Sequence, residues 1–406
     1  MLMENISPEV LYGILVMGLF IVPRILQRFR LPAAITAVAL GAVAGMKFDL
    51  FHGDATVQLF STLGIVALFL FAGLEVDFSE LRKGVGVLVQ HIAIQLVFIA
   101  IGTWISSVAL GLAPRTAALF ALALLTPSTG FILDSLPSFK LGTQGEFWVK
   151  SMAIGTELVA LAILFVLVQS TSAQNLGIST LVLVAMVAVL PLLYRVFFKV
   201  IEPYAPRTEF TFLILVALVC AFITRRLGVY YLVGAFVAGL SAVRLRAELP
   251  ALSSERLLAG VELFASFFIP FYFFKAGVSL EREFFTPYSV SLGLGLVAVL
   301  VPLKVFTVAL HRRLALGEEW HEGRRVALSI VPTLVFTLVI GSILRDQFAL
   351  SSELYGTLVV YTLVNTLIPG LILRTPPPQF EAPSLPDAPQ LGPWTAEDAP
   401  GEAAAQ

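Results

Sequence analysis

The chain of 406 residues has little charge and a single cysteine, and each shortage excludes a class of protein. Charged residues make up only 13% of a sequence that is 58% hydrophobic, too few to solvate the surface of a soluble domain. A net charge of −1 gives no electrostatic basis for binding nucleic acid. Cys220 alone permits no intrachain disulfide, and the four histidines show no metal-ligand spacing. The composition does not suit a soluble enzyme, the absence of a Gly-rich phosphate loop argues against a nucleotide-driven pump, and no cofactor is expected.

Long apolar runs bounded by charges, proline and glycine fill most of the sequence instead. A membrane-spanning helix needs about 20 mostly apolar residues, so the chain has room for roughly a dozen. We therefore predict an all-α polytopic membrane protein with about thirteen spans. They are expected near residues 9–27, 32–47, 56–76, 84–110, 115–136, 147–169, 176–200, 208–225, 228–243, 257–279, 287–310, 325–344 and 353–373.

The two ends of the chain differ in character. The first apolar run is followed, not preceded, by Arg24, Arg28 and Arg30, so it is predicted to be the first span and not a cleaved signal. Residues 375–406 are rich in Pro, Ala and acids and are predicted to be a disordered tail. Lys and Arg concentrate on alternate loops, which predicts an N-terminus outside and a C-terminus in the cytoplasm.

An internal echo relates the two halves of the membrane part. The segment FAGLEVD at 71–77 closes the third predicted span, and KAGVSLE at 275–281 closes the tenth. Pro127 interrupts the fifth span, and Pro332 interrupts the twelfth. Seven spans separate corresponding elements, so the second copy must cross the membrane in the opposite direction. This pattern predicts two inverted-topology repeats, the arrangement that supports alternating access, although chance similarity between apolar helices is the alternative.

The two proline breaks are predicted to form a site. Proline frees the carbonyl one turn earlier, and in a bilayer this is tolerated only where protein or a water-filled cavity satisfies the exposed groups. Freed carbonyls and nearby hydroxyls suit a small cation, although a kink patched by neighbouring hydroxyls is the simpler interpretation of either break alone. The candidate ligands beside the breaks are Thr126, Ser128, Thr129 and Thr333.

Three ionisable residues fall inside predicted spans. Glu157, next to Thr156, lies halfway along the sixth span, where a charged side chain costs about 2.5–3.5 kcal/mol and should face a cavity or a partner. Lys304 lies deep in the eleventh span, and we expect it to pair with Glu157, either as a coupled proton site or as a static salt bridge. Lys275 lies nearer a helix end, where snorkelling suffices, so a structural explanation competes with a role at the site.

Together these features resemble the cation:proton antiporter superfamily, in its Kef-type and sodium/proton antiporter branch. The resemblance rests on LGIVALFLFAGLEVDFSELR at 63–82, the RLP-x-A start of the second span, the broken fifth span, the acid of the sixth and the lysine of the eleventh, and it covers about residues 8–374. It implies a homodimer that works like an elevator. The implied dimerisation part spans roughly 8–80 and 205–282, and the ion-binding core roughly 84–170 and 286–374.

By the same resemblance, the family's acid pair falls on Thr156 and Glu157, its basic residue on Lys304, and its unwound crossing helices on 126–130 and 331–334. This sequence departs from the pattern because Thr156 replaces Asp, Asn or Gln and Glu157 replaces Asp. Relatives usually carry an uncharged residue at position 275, and the composition after residue 374 predicts no nucleotide-binding regulatory domain of the Kef type.

The sequence thus predicts a secondary transporter of the inner or cytoplasmic membrane that exchanges Na⁺ or K⁺ for protons, with the monovalent cation bound at Glu157. A potassium efflux system or channel-like pathway on the same fold is one alternative. An organic-acid symporter with Lys275 and Lys304 as anion ligands is another. A membrane sensor that transports nothing is a third, and it leaves the costly intramembrane charges without a purpose.

Overall fold

The computed structural model describes residues 7–373, except 77, 171, 229–230, 247, 250–251 and 253. The predicted tail at 375–406 therefore lies outside the described residues. Within them, the chain is all-helical. The helices are α1 (Pro8–Gln27), α2 (Ala33–Phe48), α3 (Ala55–Leu74), α4 (Phe78–Lys83), α5 (Val85–Leu110), α6 (Pro114–Leu125), α7 (Thr129–Ser135), α8 (Thr143–Gln169), α9 (Ala173–Val196), α10 (Glu209–Arg226), α11 (Tyr231–Arg244), α12 (Glu255–Val278), α13 (Pro287–Leu316), α14 (Trp320–Ser329), α15 (Leu334–Phe348) and α16 (Ser352–Ile372).

Helix ends follow local sequence signals. Asp54 precedes α3 and its side chain accepts the backbone N–H of Val57 at 2.8 Å, which caps the first turn. Pro114 and Pro287 begin α6 and α13, where the missing N–H needs no partner. Gly317 ends α13 with a φ of +67°, a left-handed conformation that glycine adopts without strain.

Apolar helices lie at every predicted span. By length and composition, nine helical segments of the described part can cross a bilayer, and α14 with α15 forms a tenth that bends by 44° at its break. Helices α2 and α11 are apolar but shorter. The all-α membrane fold is confirmed, whereas the number of thirteen spans stays a prediction. The sequence did not predict the six-residue helix α4.

Two spans are interrupted where the prolines predicted. Helix α6 ends at Leu125 and α7 begins at Thr129, while α14 ends at Ser329 and α15 begins at Leu334. The two breaks meet, because the N–H of Ser128 donates to the carbonyl of Pro332 at 2.8 Å. The predicted pair of discontinuous crossing helices is therefore confirmed.

Close helix contacts repeat in the two halves. Gly73 of α3 lies against α11, where an added Cβ would come within 2.5 Å of the Phe236 carbonyl oxygen. Gly277 of α12, the counterpart of Gly73 in the internal echo, lies against α2, where a Cβ would come within 2.1 Å of the Val38 oxygen. Small residues allow helix backbones to approach closely in membranes. The same contact thus joins α3 to α11 and α12 to α2, as the repeat predicts.

The helices form two packed groups. Helices α2, α3, α11 and α12 pack on one another with α1 and α10 alongside, whereas α5 to α8 pack with α13 to α16. The groups touch where α3 meets α7, and Gly130 of α7 lies so close to Leu68 that a Cβ would approach its side chain to 2.8 Å. These groups follow the sequence ranges predicted for a dimerisation part and a core part, but those roles stay predictions.

Candidate functional site

The break between α6 and α7 leaves three backbone carbonyls without their usual partners. In an unbroken helix, the carbonyls of Ala123, Leu124 and Leu125 would accept the N–H groups of residues 127, 128 and 129. Pro127 has no N–H, and Ser128 donates elsewhere. Because no water is available in hydrocarbon, these carbonyls need protein donors.

Side chains from four other helices supply those donors. The Thr337 hydroxyl of α15 donates to the Ala123 carbonyl at 2.7 Å, and the Tyr361 hydroxyl of α16 donates to Leu124 at 2.8 Å. The Leu125 carbonyl accepts two bonds, from Gln95 Nε2 of α5 at 2.8 Å and from Lys304 Nζ of α13 at 3.2 Å. The break is thus held open by its neighbours.

The hydroxyls of Ser128 and Thr333 serve the framework of the crossing. Ser128 Oγ accepts the N–H of Val335 at 3.2 Å, so Ser128 ties α7 to the start of α15 through both its backbone and its side chain. Thr333 Oγ1 lies 2.9 Å from Asn365 Nδ2, with the Thr337 and Thr362 hydroxyls at 2.8 and 3.1 Å. A hydroxyl has one proton and two lone pairs, and three contacts engage them all. The ligand role predicted for Thr333 stays a prediction, and this bonding favours a framework role.

Four buried oxygens, two beside the break and two on α8, have no hydrogen-bond partner among the described residues. They are Thr126 Oγ1, Thr129 Oγ1, Thr156 Oγ1 and Glu157 Oε2. The Glu157 side chain is 1% exposed, and its carboxylate lies beside the backbone N–H and the hydroxyl of Thr129. That hydroxyl is close but does not complete a hydrogen bond with it. Buried polar groups are normally satisfied, so these unsatisfied oxygens need an explanation such as an ion or water.

The chemistry of these oxygens suits a small hard cation. They belong to one carboxylate and three neutral hydroxyls, and hard cations prefer oxygen ligands. Within the described part of the chain, no group of three or more His, Cys, Asp or Glu residues is placed to hold a metal ion. Four sequence-predicted residues, Thr126, Thr129, Thr156 and Glu157, thus present free oxygen atoms.

Lys304 does not pair with Glu157 as expected. Its ammonium donates to the Leu125 carbonyl, and the described residues include no ion pair between Lys304 and Glu157 within 4 Å. The correction has a simple cause, because the broken helix offers Lys304 a freed carbonyl that the sequence could not place. Lys275, in the last turn of α12, interacts electrostatically with Asp54 at the start of α3. It therefore lies among the other group of helices.

A cavity of about 520 Å³ approaches the crossing from one face of the protein. The ends of α1, α7 and α16 enclose it, and its polar lining includes Arg30, Asp134, Lys140 and Thr366. The Thr366 hydroxyl donates to Asn365 Oδ1 at 3.1 Å, and Asn365 in turn donates to Thr333. A chain of hydrogen bonds thus links the cavity wall to the crossing.

Sequence reasoning missed several residues of this framework. Thr337, Tyr361, Thr362 and Asn365 are all buried, and each bonds to the broken segments. A signal was available, because polar side chains facing protein inside apolar spans are costly and need partners. Which carbonyl each one reaches depends on how the helices are rotated and packed.

Known proteins resemble this chain in both sequence and fold. Residues 15–376 match the family described as "Sodium/hydrogen exchanger, transmembrane". The probable Na⁺/H⁺ antiporter 3 of Methanocaldococcus jannaschii is 25% identical over 368 residues, which cover 88% of this chain and 93% of that protein. A Na⁺/H⁺ antiporter of Enterococcus hirae is 23% identical over 371 residues, which cover 86% and 92%.

Among solved structures, the sodium proton antiporter MjNhaP1 from Methanocaldococcus jannaschii at pH 8 superposes with a TM-score of 0.67. The match covers 89% of this chain and 96% of that chain at 14% identity, so it speaks for the fold alone. The resemblance inferred from the motifs is confirmed by the sequence family and the shared fold. This chain is a multi-pass membrane protein of the sodium/hydrogen exchanger family.

Proposed function

We propose that this protein exchanges Na⁺ for H⁺ across the cell membrane and that the two ions compete for the Glu157 carboxylate. One observation carries the proposal: Glu157 Oε2 and the hydroxyls of Thr126, Thr129 and Thr156 are buried without hydrogen-bond partners in the described chain. A carboxylate binds either a proton or a metal cation. If the site cannot change sides of the membrane while the carboxylate holds neither ion, this competition produces obligatory exchange.

The choice of sodium rests on the relatives. The similar proteins from Methanocaldococcus jannaschii and Enterococcus hirae are named Na⁺/H⁺ antiporters. The proposed site has neutral hydroxyl oxygens in place of a second, negatively charged acid. Sodium loses hydrating water when it binds, and these hydroxyl oxygens replace part of that hydration.

Alternating access in this proposal is a movement of one group of helices against the other. The core would consist of α5 to α8 and α13 to α16, and the dimerisation part of α1 to α3 and α10 to α12, in a homodimer. The contact of Gly130 with Leu68 lies between these groups, and the cavity near Thr366 approaches the crossing from one face. With the N-terminus outside, that face is cytoplasmic.

Lys304 sets the stoichiometry in this proposal. With Glu157 as the only carboxylate at the site, one proton replaces one sodium ion and exchange is electroneutral. If Lys304 also releases its proton during each cycle, two protons replace one sodium ion and exchange is electrogenic. Currents recorded from proteoliposomes on a solid support distinguish the two cases.

The central experiment is a sodium pulse applied to proteoliposomes that contain a pH-sensitive dye. Between pH 6 and 9, wild-type protein should change the internal pH, and Glu157→Gln should not. Glu146→Gln is the matched control, because Glu146 occupies the first turn of the same helix, α8. Full exchange by Glu157→Gln, or no pH change with wild-type protein, would reject the proposal.

Two alternatives are tested in the same preparation. A potassium channel-like pathway would carry K⁺ without moving protons, so pulses of Na⁺, K⁺ and Li⁺ are compared. An organic-acid symporter would take up labelled carboxylates. The symporter hypothesis requires Lys275 and Lys304 to share an anion site. Lys275 interacts with Asp54, however, whereas Lys304 bonds to the Leu125 carbonyl.

A further inference from the structure

A small cavity lies beside the break, on the side of Lys304, and most of its surface is apolar. It has a volume of about 20 Å³ and separates α5 from α13. Four of its lining residues are polar, namely His91, Gln95, Lys304 and Thr307, and the others are apolar. A cavity needs about 10–15 Å³ to hold one water molecule, so this one has room for a single water, which would need polar partners among these four residues.

His91 is the lining residue that can take a proton from Lys304. Gln95 already donates to the Leu125 carbonyl, and neither its amide nor the Thr307 hydroxyl accepts and releases protons near neutral pH. Imidazole does both. His91 is 4% exposed and lies one helical turn before Gln95, on the same face of α5.

A second histidine continues the path toward the end of α13. The rings of His91 and His311 have their centroids 6.3 Å apart, and His311 Nε2 lies 3.2 Å from Gln90 Oε1. His311 Nδ1 is buried and has no hydrogen-bond partner among the described residues. The cations that face this pair are Lys304 and Arg312, and Arg312 is paired with Glu318 at 2.6 Å.

We propose that His91 and His311 relay the Lys304 proton through one water in the cavity between α5 and α13. The inference rests on the proposed exchange function and adds a route for the proton. Lys304 Nζ passes a proton to the water, which passes one of its own to the free ring nitrogen of His91. His91 then releases the proton on its other ring nitrogen toward His311. Each step moves one proton and conserves charge.

Two transport measurements on the same proteoliposomes test the relay. Sodium-driven proton release needs the relay, whereas exchange of radioactive sodium for unlabelled sodium needs only cation binding and alternating access. The variants are His91→Gln, His91→Asn and His311→Gln. His321→Gln is the matched control, because its side chain is 68% exposed and lies outside the cavity.

The relay predicts a selective loss. His91→Gln and His91→Asn should slow proton release by about tenfold or more and change sodium–sodium exchange by less than about twofold, since a positioned proton-transfer group typically contributes a factor of about 100 or more. His311→Gln should show the same selectivity, and His321→Gln should behave as wild type.

The opposing results are equally definite. Wild-type proton release by His91→Gln would overturn the relay, and so would an equal loss of both activities in all three variants, which indicates a packing role. Failure of the exchange function itself would look different, because wild-type protein would then release no protons after a sodium pulse.

Discussion

Ser128 and Pro332 lie 204 positions apart in the sequence and close two helix breaks with one hydrogen bond, 2.8 Å from the Ser128 nitrogen to the Pro332 oxygen. The two breaks are complementary. The Ser128 N–H has lost its helical acceptor, and the carbonyl of Pro332, in the gap before α15, accepts it instead. The Ser128 hydroxyl adds a second link by accepting the N–H of Val335. The crossing is therefore one hydrogen-bonded unit, and removing a single donor should weaken it as a whole.

Thr337→Val removes such a donor. The Ala123 carbonyl would lose the hydroxyl that lies 2.7 Å away and would stay buried without a partner. We expect the free energy of unfolding to fall by about 1–2 kcal/mol. Thr103→Val is the control, because the Thr103 hydroxyl bonds to the Ile99 carbonyl, which also accepts an N–H within α5. The free energy of unfolding in detergent is measured for both variants, and an equal decrease in the two would contradict the prediction.

The sequence predicted the helices better than the side-chain partners. Apolar runs and prolines identify spans and their breaks because burial in lipid and a missing N–H act locally. The partner of Lys304 depends instead on helix rotation, and the expected pair with Glu157 was wrong because the Leu125 carbonyl is available. The predicted ligands Thr126, Thr129 and Thr156 have free oxygens, whereas Asn365 was not singled out.

Gly277→Ala should disrupt the contact between α12 and α2. An ideal Cβ would lie 2.1 Å from the Val38 oxygen, so a backbone must shift. We expect a loss of about 1–3 kcal/mol in unfolding free energy, as for other overpacked sites. Gly239→Ala, at the equivalent contact of α11 with α3, should be affected similarly, since its Cβ would lie 2.5 Å from the Leu70 oxygen.

Gly13→Ala is the control for both glycine variants, because nothing lies within 4 Å of its added Cβ. Alanine favours a helix over glycine, so this variant should be as stable as wild type or more stable. Thermal unfolding in detergent compares the three. If Gly277→Ala unfolds at the same temperature as Gly13→Ala, the close contact between α12 and α2 is not rigid.

Glu318→Gln should leave a buried charge without its partner. Arg312 is 1% exposed, donates to Glu318 through Nε and one terminal nitrogen, and lies over the Trp148 ring at 5.4 Å. Removing one member of a buried pair typically costs about 3–5 kcal/mol. Asp346→Asn is the control, because that exposed side chain pairs with Arg345 at 3.2 Å. Replacing the pair together, with Arg312→Met and Glu318→Leu, should restore much of the loss.

Thr129→Val tests whether an unsatisfied hydroxyl binds the cation. Thr129 Oγ1 is buried, lies beside the Glu157 carboxylate and completes no hydrogen bond, so its loss removes a ligand without breaking the framework. A ligand to a charged group is worth about 1.5–3 kcal/mol, and 1.4 kcal/mol is a factor of ten, so the half-saturating sodium concentration should rise about tenfold or more. Thr362→Val removes a hydroxyl already engaged with Thr333 and should lower stability with little effect on that concentration. If both variants raise it equally, the unpartnered oxygens are not the ligands, and the cation must bind elsewhere along the crossing.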